Sequence, residues 1–242
     1  VCNNKEKSMK KLLFIVPLLI AFGCSKSVEE ETLIEKDGLK YLPDAEIPYT
    51  GPVISLNDKG KKRSDGHYKE GKKEGLFTTW LGDKVKFIET NYKDGNMDGL
   101  STAWFPDGEI RGKIHYKNGK KDGLHTYWYK NGQKEEEGHN KNGFKSGKWT
   151  KWYENGQKEE EGHIKSGKWT KWYENGNKKE ESSRNDSGSF QTLWHDNGQK
   201  MQEGNFNING IMDGLWTHWY SDGELYAKRT YKDGVKQSET MY

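Results

Sequence analysis

The sequence predicts an all-β chain: one elongated, twisted antiparallel sheet of tandem β-hairpins behind an N-terminal signal helix. Three observations lead there. A Thr-x-Trp tripeptide returns seven times, and in six of the seven units a glycine follows the Trp by four residues. Only 31% of the 242 residues are hydrophobic while 32% are charged, too few apolar side chains for one central core, which draws on roughly 45–50%. Aromatics nonetheless reach 13%, with ten Trp and thirteen Tyr, which excludes disorder, where aromatics are scarce. Many turns (29 Gly) and flat rings between them describe a thin sheet built from repeats.

The first element is an address. Met9-Lys10-Lys11 precedes the apolar run Leu12 to Phe22, interrupted by Pro17. That run is shorter than the roughly 20 residues a helix needs to cross a bilayer, and a basic start with a short apolar stretch is the secretory pattern. Residues 1–23 are therefore expected to be a signal peptide, Val1–Ser8 lying ahead of the start at Met9. The segment Ile20-Ala21-Phe22-Gly23-Cys24 resembles a bacterial lipobox, which implies a lipid on Cys24, although Ala21 stands where Leu is usual. With Cys2 upstream of Met9, a disulfide framework is excluded. Residues 24–38, with Glu29-Glu30-Glu31, read as a polar tether, and residues 39–242 as the repeat domain of seven to eight hairpins.

Loss of residues 1–23 removes four lysines and one glutamate, leaving 36 basic and 36 acidic residues from 40 and 37. The formal charge of +3 falls to zero, and no overall field draws the remainder to nucleic acid or anionic lipid.

The repeat follows. Its pairs are Thr78/Trp80, Thr102/Trp104, Thr126/Trp128, Thr150/Trp152, Thr170/Trp172, Thr192/Trp194 and Thr217/Trp219, and the turn glycines are Gly108, Gly132, Gly156, Gly176, Gly198 and Gly223. Asn131-Gly132 after an alternating aromatic run predicts a type I′ hairpin turn. Alternation puts Leu124, Thr126 and Trp128 on one face and His125, Tyr127 and Tyr129 on the other, so that Thr and Trp stack on their counterparts in adjoining units. A second pair of glycines, such as Gly119/Gly123 and Gly143/Gly147, flanks polar residues and is expected to be a loop. The shortest unit, 20 residues from Trp152 to Trp172, is expected to lose residues from that loop and spare both strands. Leu56 stands where a Trp is due in the first unit, a cap, and the unit around Thr192 lacks the regular glycine pair, a local bend.

Units of the form Tyr116-Lys-Asn-Gly119-Lys-Lys-Asp-Gly123-Leu-His-Thr-Tyr-Trp128-Tyr-Lys-Asn-Gly132 resemble bacterial variant MORN repeats, of the kind grouped in a YwqK-like antitoxin family; Tyr41 to Gly51 resembles that family's lead-in. The resemblance spans residues 39–242. It implies consecutive antiparallel hairpins, no cofactor, and a toxin as one candidate partner.

Chemistry is sparse. His67, His115 and His139 each lie thirteen residues before a repeat Trp. Equivalent positions in successive two-strand units are about 10 Å apart, whereas zinc ligands lie about 2 Å from their metal; no metal site is expected. Glu135–Glu137 and Glu159–Glu161 read as solvated faces, since adjacent strand residues point to opposite sides and a glycosidase pair must converge. No nucleophile elbow or phosphate loop is present, and no enzyme is expected. What remains is surface. Trp149/Tyr153, Trp169/Tyr173 and Trp216/Tyr220 lie opposite the Thr-x-Trp track and form either an exposed interaction surface or one covered by Lys and Glu stems.

The expected function is a non-enzymatic lipoprotein of the cell envelope, in the outer membrane and facing the periplasm or the surface, whose sheet is a protein-interaction scaffold. The membrane is met only through the lipid anchor, and nucleic acid is no partner. An antitoxin or immunity role is the alternative. Binding of an extended glycan along the aromatic track is the third reading.

Overall fold

The structure is a computed structural model and describes residues 26–82 and 84–242; the signal segment, its expected helix and Cys24 lie outside the described residues. The described residues form one long sheet of 19 strands and a separate two-stranded sheet. From Gly51–Leu56 to Val235–Met241 each strand pairs antiparallel with the next. One pair breaks the antiparallel rule: Val28–Glu29 lies parallel to the first repeat strand, Val28 opposite Val53.

That pair corrects the tether. Glu30–Thr32 forms a single 3-10 turn, Leu33 is buried, and Ile34–Lys36 pairs with Leu39–Tyr41. The segment folds because its apolar Val28 and Leu33 reach the cluster of Tyr49, Val53, Tyr68 and Phe77. Its acids bind as well: the Tyr68 hydroxyl donates to Glu30 Oε1 at 2.7 Å and the Ser55 hydroxyl donates to Glu31. Tyr68 and Tyr92 meet Phe77 edge-on, at centroid distances of 5.8 and 5.2 Å. The polar run is thus the lid on the first hairpin.

The two turn classes are the reverse of the sequence expectation. After each Trp, only the glycine has positive φ (Gly132, +82°), with Gly132 N–H donating to Tyr129 O at 3.0 Å and Tyr129 N–H to Gln133 O at 2.8 Å. This is a three-residue loop with a type I turn and a glycine bulge. Type I′ geometry, with positive φ at both residues, occurs at Asn118-Gly119 (+47°, +77°), Asn142-Gly143, Asp94-Gly95 and Asp233-Gly234. The expected loop between glycine pairs is therefore a tight hairpin followed by strand: Lys120–Trp128 runs through Gly123. Deletion in the short unit consequently trims both strands, to Lys158–His163 and Lys168–Trp172, against Lys134–Lys141 and Phe144–Trp152 before it.

Successive hairpins are fastened at both margins. On the Trp side, the hydroxyls of Tyr129, Tyr153 and Tyr173 donate to Trp152 O, Trp172 O and Trp194 O at 2.7–2.8 Å. The Nδ2 groups of Asn131, Asn155, Asn175 and Asn197 donate to carbonyls of the next turn, Glu154, Glu174, Asp196 and Ser221. On the other side, Gly119 N–H donates to Met97 O, and Asp98 and Asp122 accept the N–H of Asn118 and Asn142 in the following turn. Each unit thereby satisfies its turn polar groups within the turn and through its immediate neighbours, as expected of a quasi-one-dimensional architecture.

Candidate functional site

Register turns the repeats into rows that cross the whole ribbon. On one face Cα partners run Thr78, Glu89, Thr102, Lys113, Thr126, Glu137, Thr150, Glu161, Thr170, Glu181, Thr192, Glu203, Thr217. All these threonines except Thr170 are buried. Thr126 and Thr150 donate to Glu137 and Glu161 at 3.4 and 3.2 Å. Each acid also meets a lysine three residues earlier: Lys134–Glu137 at 2.7 Å, Lys158–Glu161 at 2.7 Å, Lys178–Glu181 at 2.6 Å and Lys200–Glu203 at 2.8 Å.

The repeat Trp residues close this arrangement. The ammonium groups of Lys134, Lys158, Lys178 and Lys200 stand over the rings of Trp152, Trp172, Trp194 and Trp219, 5.3–5.7 Å from the centroids. Lys62 over Trp80 at 4.5 Å and Lys86 over Trp104 at 5.7 Å continue the series. Six of the seven repeat indoles, all but Trp128, thus lie within cation–π range of a lysine on the preceding strand. All seven repeat Trp are half-buried, so Trp80, Trp104, Trp128, Trp152, Trp172, Trp194 and Trp219 form a continuous, partly accessible track. The glutamates are correspondingly not plain solvated faces. Burial pushes the Glu161 carboxyl up, but its hydrogen bonds from Lys158 and Lys148 outweigh that and hold it below the usual range. The sequence signal that finds these pairs is Lys-x-x-Glu, which follows five of the seven Trp-side turns, as in Lys134/Glu137 and Lys200/Glu203.

The opposite face corrects the aromatic surface. A second row runs Ile114, His125, Gly138, Trp149, Gly162, Trp169, Ser182, Gln191, Gly204, Trp216. Large and small residues alternate through its middle, and the indoles lie flat on the glycines: a Cβ on Gly138 would fall 2.2 Å from the Trp149 ring, and one on Gly204 would fall 2.3 Å from that of Trp216. Trp149 is 3% exposed and Trp216 0%, with their indole N–H groups donating to His139 O and Asn205 O. Tyr153 and Tyr173 are the inter-unit fasteners already described. Of the six residues, Tyr220 is exposed and Trp169 half-buried. A single-layer sheet has no second layer to cover large rings, so it seats them on glycine.

His125 sits in the same row, 6% exposed, edge-on to Tyr127 and Trp149 at 4.8 and 5.4 Å. Burial, with Lys121 nearby, pushes its pKa down. Its Nε2 has no partner among the described residues. Among the described residues no group of three or more His, Cys, Asp or Glu could hold a metal ion, and no helix is long and apolar enough to cross a membrane.

What the track offers is recognition: half-exposed rings at hairpin spacing, interleaved with charge-compensated Lys–Glu pairs. Five stretches, residues 97–118, 121–142, 145–166, 165–186 and 212–233, match the family model described as MORN repeat variant. No curated protein matches the chain. Each matched stretch spans a Thr-x-Trp strand or its shortened equivalent with the strand that returns from it. Sequence match and hairpin ribbon therefore agree on the same units, and in these five stretches the hairpins are similar to the MORN repeat variant.

Proposed function

We propose that this protein is a non-catalytic scaffold of the cell envelope, carried by a lipid on Cys24, whose Trp/Lys track docks another protein. The track is the observation that supports it. Large, half-buried rings beside lysines and carboxylates are the composition of protein-binding surfaces, where aromatics anchor and paired charges give register. The test is affinity capture of the full chain from its own envelope. A partner retained by the native protein and lost from Trp152→Ala and Trp172→Ala supports the reading; an unchanged partner set removes it. Metabolic labelling with a fatty acid, abolished by Cys24→Ser, tests the anchor.

An antitoxin role rests on the family resemblance and would use the same track. Co-expression with the product of a neighbouring toxin-like gene tests it, rescue of growth being the expected outcome. An extended glycan along the track is less well served, because a lysine already stands over one face of each of six indoles.

A further inference from the structure

The ribbon departs from its repeat in one stretch. The unit around Thr192 follows the trimmed hairpin Lys158–His163/Lys168–Trp172, and residues 187–211 lie between the last two family-matched stretches. Two concavities adjoin there on the threonine face, of about 290 and 310 Å³, sharing Ser183 and Phe190. Each is at the small end of ligand pockets, roughly 300–1,000 Å³, and together they reach well inside that range.

Their chemistry differs from the equivalent positions elsewhere. Two residues before the row threonine the preceding units carry Lys148 and Lys168, and two after the row glutamate His139 and His163; here Cα partners run Lys168, Ser183, Phe190, Asn205. Phe190 is 41% exposed. Among the described residues, neither the Ser183 hydroxyl nor the Asn205 side-chain amide has a hydrogen-bond partner. The acids at the edges are already held, Glu181 by Lys178 at 2.6 Å and Asp213 by Lys232 at 3.3 Å. The trimmed hairpin is what leaves the flank open.

We infer that this cleft is a binding site for a neutral saccharide, about two sugar units long. An aromatic ring flanked on adjacent strands by a free hydroxyl and a free amide matches a ligand with an apolar C–H face and hydroxyls that both donate and accept. An anionic polymer would find Lys168 alone as an unpaired cation in the lining. The inference goes beyond the docking of a protein and uses different residues, so each can fail without the other.

The test uses the full chain, isotopically labelled, titrated with cellohexaose, chitohexaose and maltohexaose to millimolar concentration. At least one is expected to shift the amide resonances of Ser183, Phe190 and Asn205. Phe190→Ala should weaken that binding about tenfold, the scale of one lost aromatic contact, and Asn205→Ala should weaken it about fivefold, one neutral hydrogen bond. Leu124→Ala, an exposed side chain at the corresponding row position of another unit, should leave it unchanged. Both Phe190 and Asn205 are exposed, and an unaltered melting temperature confirms that the variants fold. Silence of these resonances with all three sugars, shifts confined to the Trp track, or native affinity in Phe190→Ala overturns the inference.

Discussion

The cap, residues 28–92, and the repeats from Asn96 to Trp219 stabilise the same single-layer sheet by different means. The cap gathers Leu33, Tyr49, Val53, Tyr68 and Phe77 into a small three-dimensional core. The repeats have no such cluster. Their buried side chains are a row of threonines on one face and a sparse file on the other, Ile114, His125, Asn140, Trp149 and Trp216. A core terminates, because its side chains converge; a row propagates, because each member needs only the next. So polar a chain, with a mean hydropathy of −1.16, can extend its sheet by adding hairpins, and it needs a core only where the sheet begins.

The largest effect should come from breaking each mode at its centre. Trp216→Ala leaves a void on Gly204 and is expected to cost about 3–5 kcal/mol, as is usual for a buried aromatic. In native-state hydrogen exchange the loss should stay with the hairpins from Gly188 to Lys232, leaving the cap protected. Tyr68→Ala should do the opposite. If both variants melt the whole chain in one step, stability is not a sum of neighbour terms. Gly138→Ala comes next, at about 1–3 kcal/mol by urea denaturation, since the new methyl must displace the Trp149 ring. Combined with Trp149→Ala it should cost clearly less than the two changes added, because they share one contact.

Much of this was legible in the sequence. The recurrence of Thr-x-Trp placed the strands and their shared face, since period-two alternation admits no other reading once one face is fixed. The turn classes were not, because Asn-Gly suits both a type I′ turn and a glycine bulge. What decides is what the asparagine side chain does: Asn131 reaches Glu154 O in the next turn, whereas Asn118 takes left-handed backbone geometry itself. The acidic run Glu29–Glu31 read as solvent-facing because its partners, Tyr68 and Ser55, lie 38 and 24 residues away from the acids they bind. Trp149 and Trp216 read as surface because an alternating pattern shows which face a ring takes and is silent on whether a cross-strand glycine receives it. The Gly-x-x spacing that pairs Gly138 with Trp149 is set by register, which a neighbouring bulge shifts.

The two regions should also respond differently to pH. In the repeats, burial lowers the His125 pKa below its unfolded value of about 6.5. The fold favours the neutral ring, so this contribution is complete above about pH 6.5 and is lost as pH falls through the folded value. Lys121 and Lys145 add to the effect and Glu136 opposes it. In the cap, burial and the Glu30 carboxylate raise the Tyr68 pKa. That contribution is complete below about pH 10, the unfolded value, and is lost as pH rises towards the folded one. Urea midpoints read by exchange at His125 and at Tyr68 should therefore weaken on opposite sides of neutrality. His125→Gln should flatten the acid limb between pH 7.5 and 5 and leave the alkaline limb alone; an unchanged acid limb removes His125 as its cause.

The smallest expected effect is the most specific to the repeat design. Asn155 makes two bonds: its Oδ1 accepts Gln157 N–H at 2.9 Å within its own turn, and its Nδ2 donates to Glu174 O at 3.1 Å in the next. Asn155→Asp keeps the first and replaces the second with two oxygens facing each other. It should cost about 1 kcal/mol, the worth of one neutral hydrogen bond with its partner left unsatisfied, and lower the melting temperature of the hairpins on either side. Asn155→Ala loses both bonds and should cost more. The difference between the two variants is then the within-turn bond alone, and what remains is the fastening between units. Equal costs for the two variants would mean that only the inter-unit bond matters. No cost for Asn155→Asp would mean that hairpins are held by their strand rows without help at the turns, and the comparison between a converging cap and a propagating ribbon would rest on the rows alone.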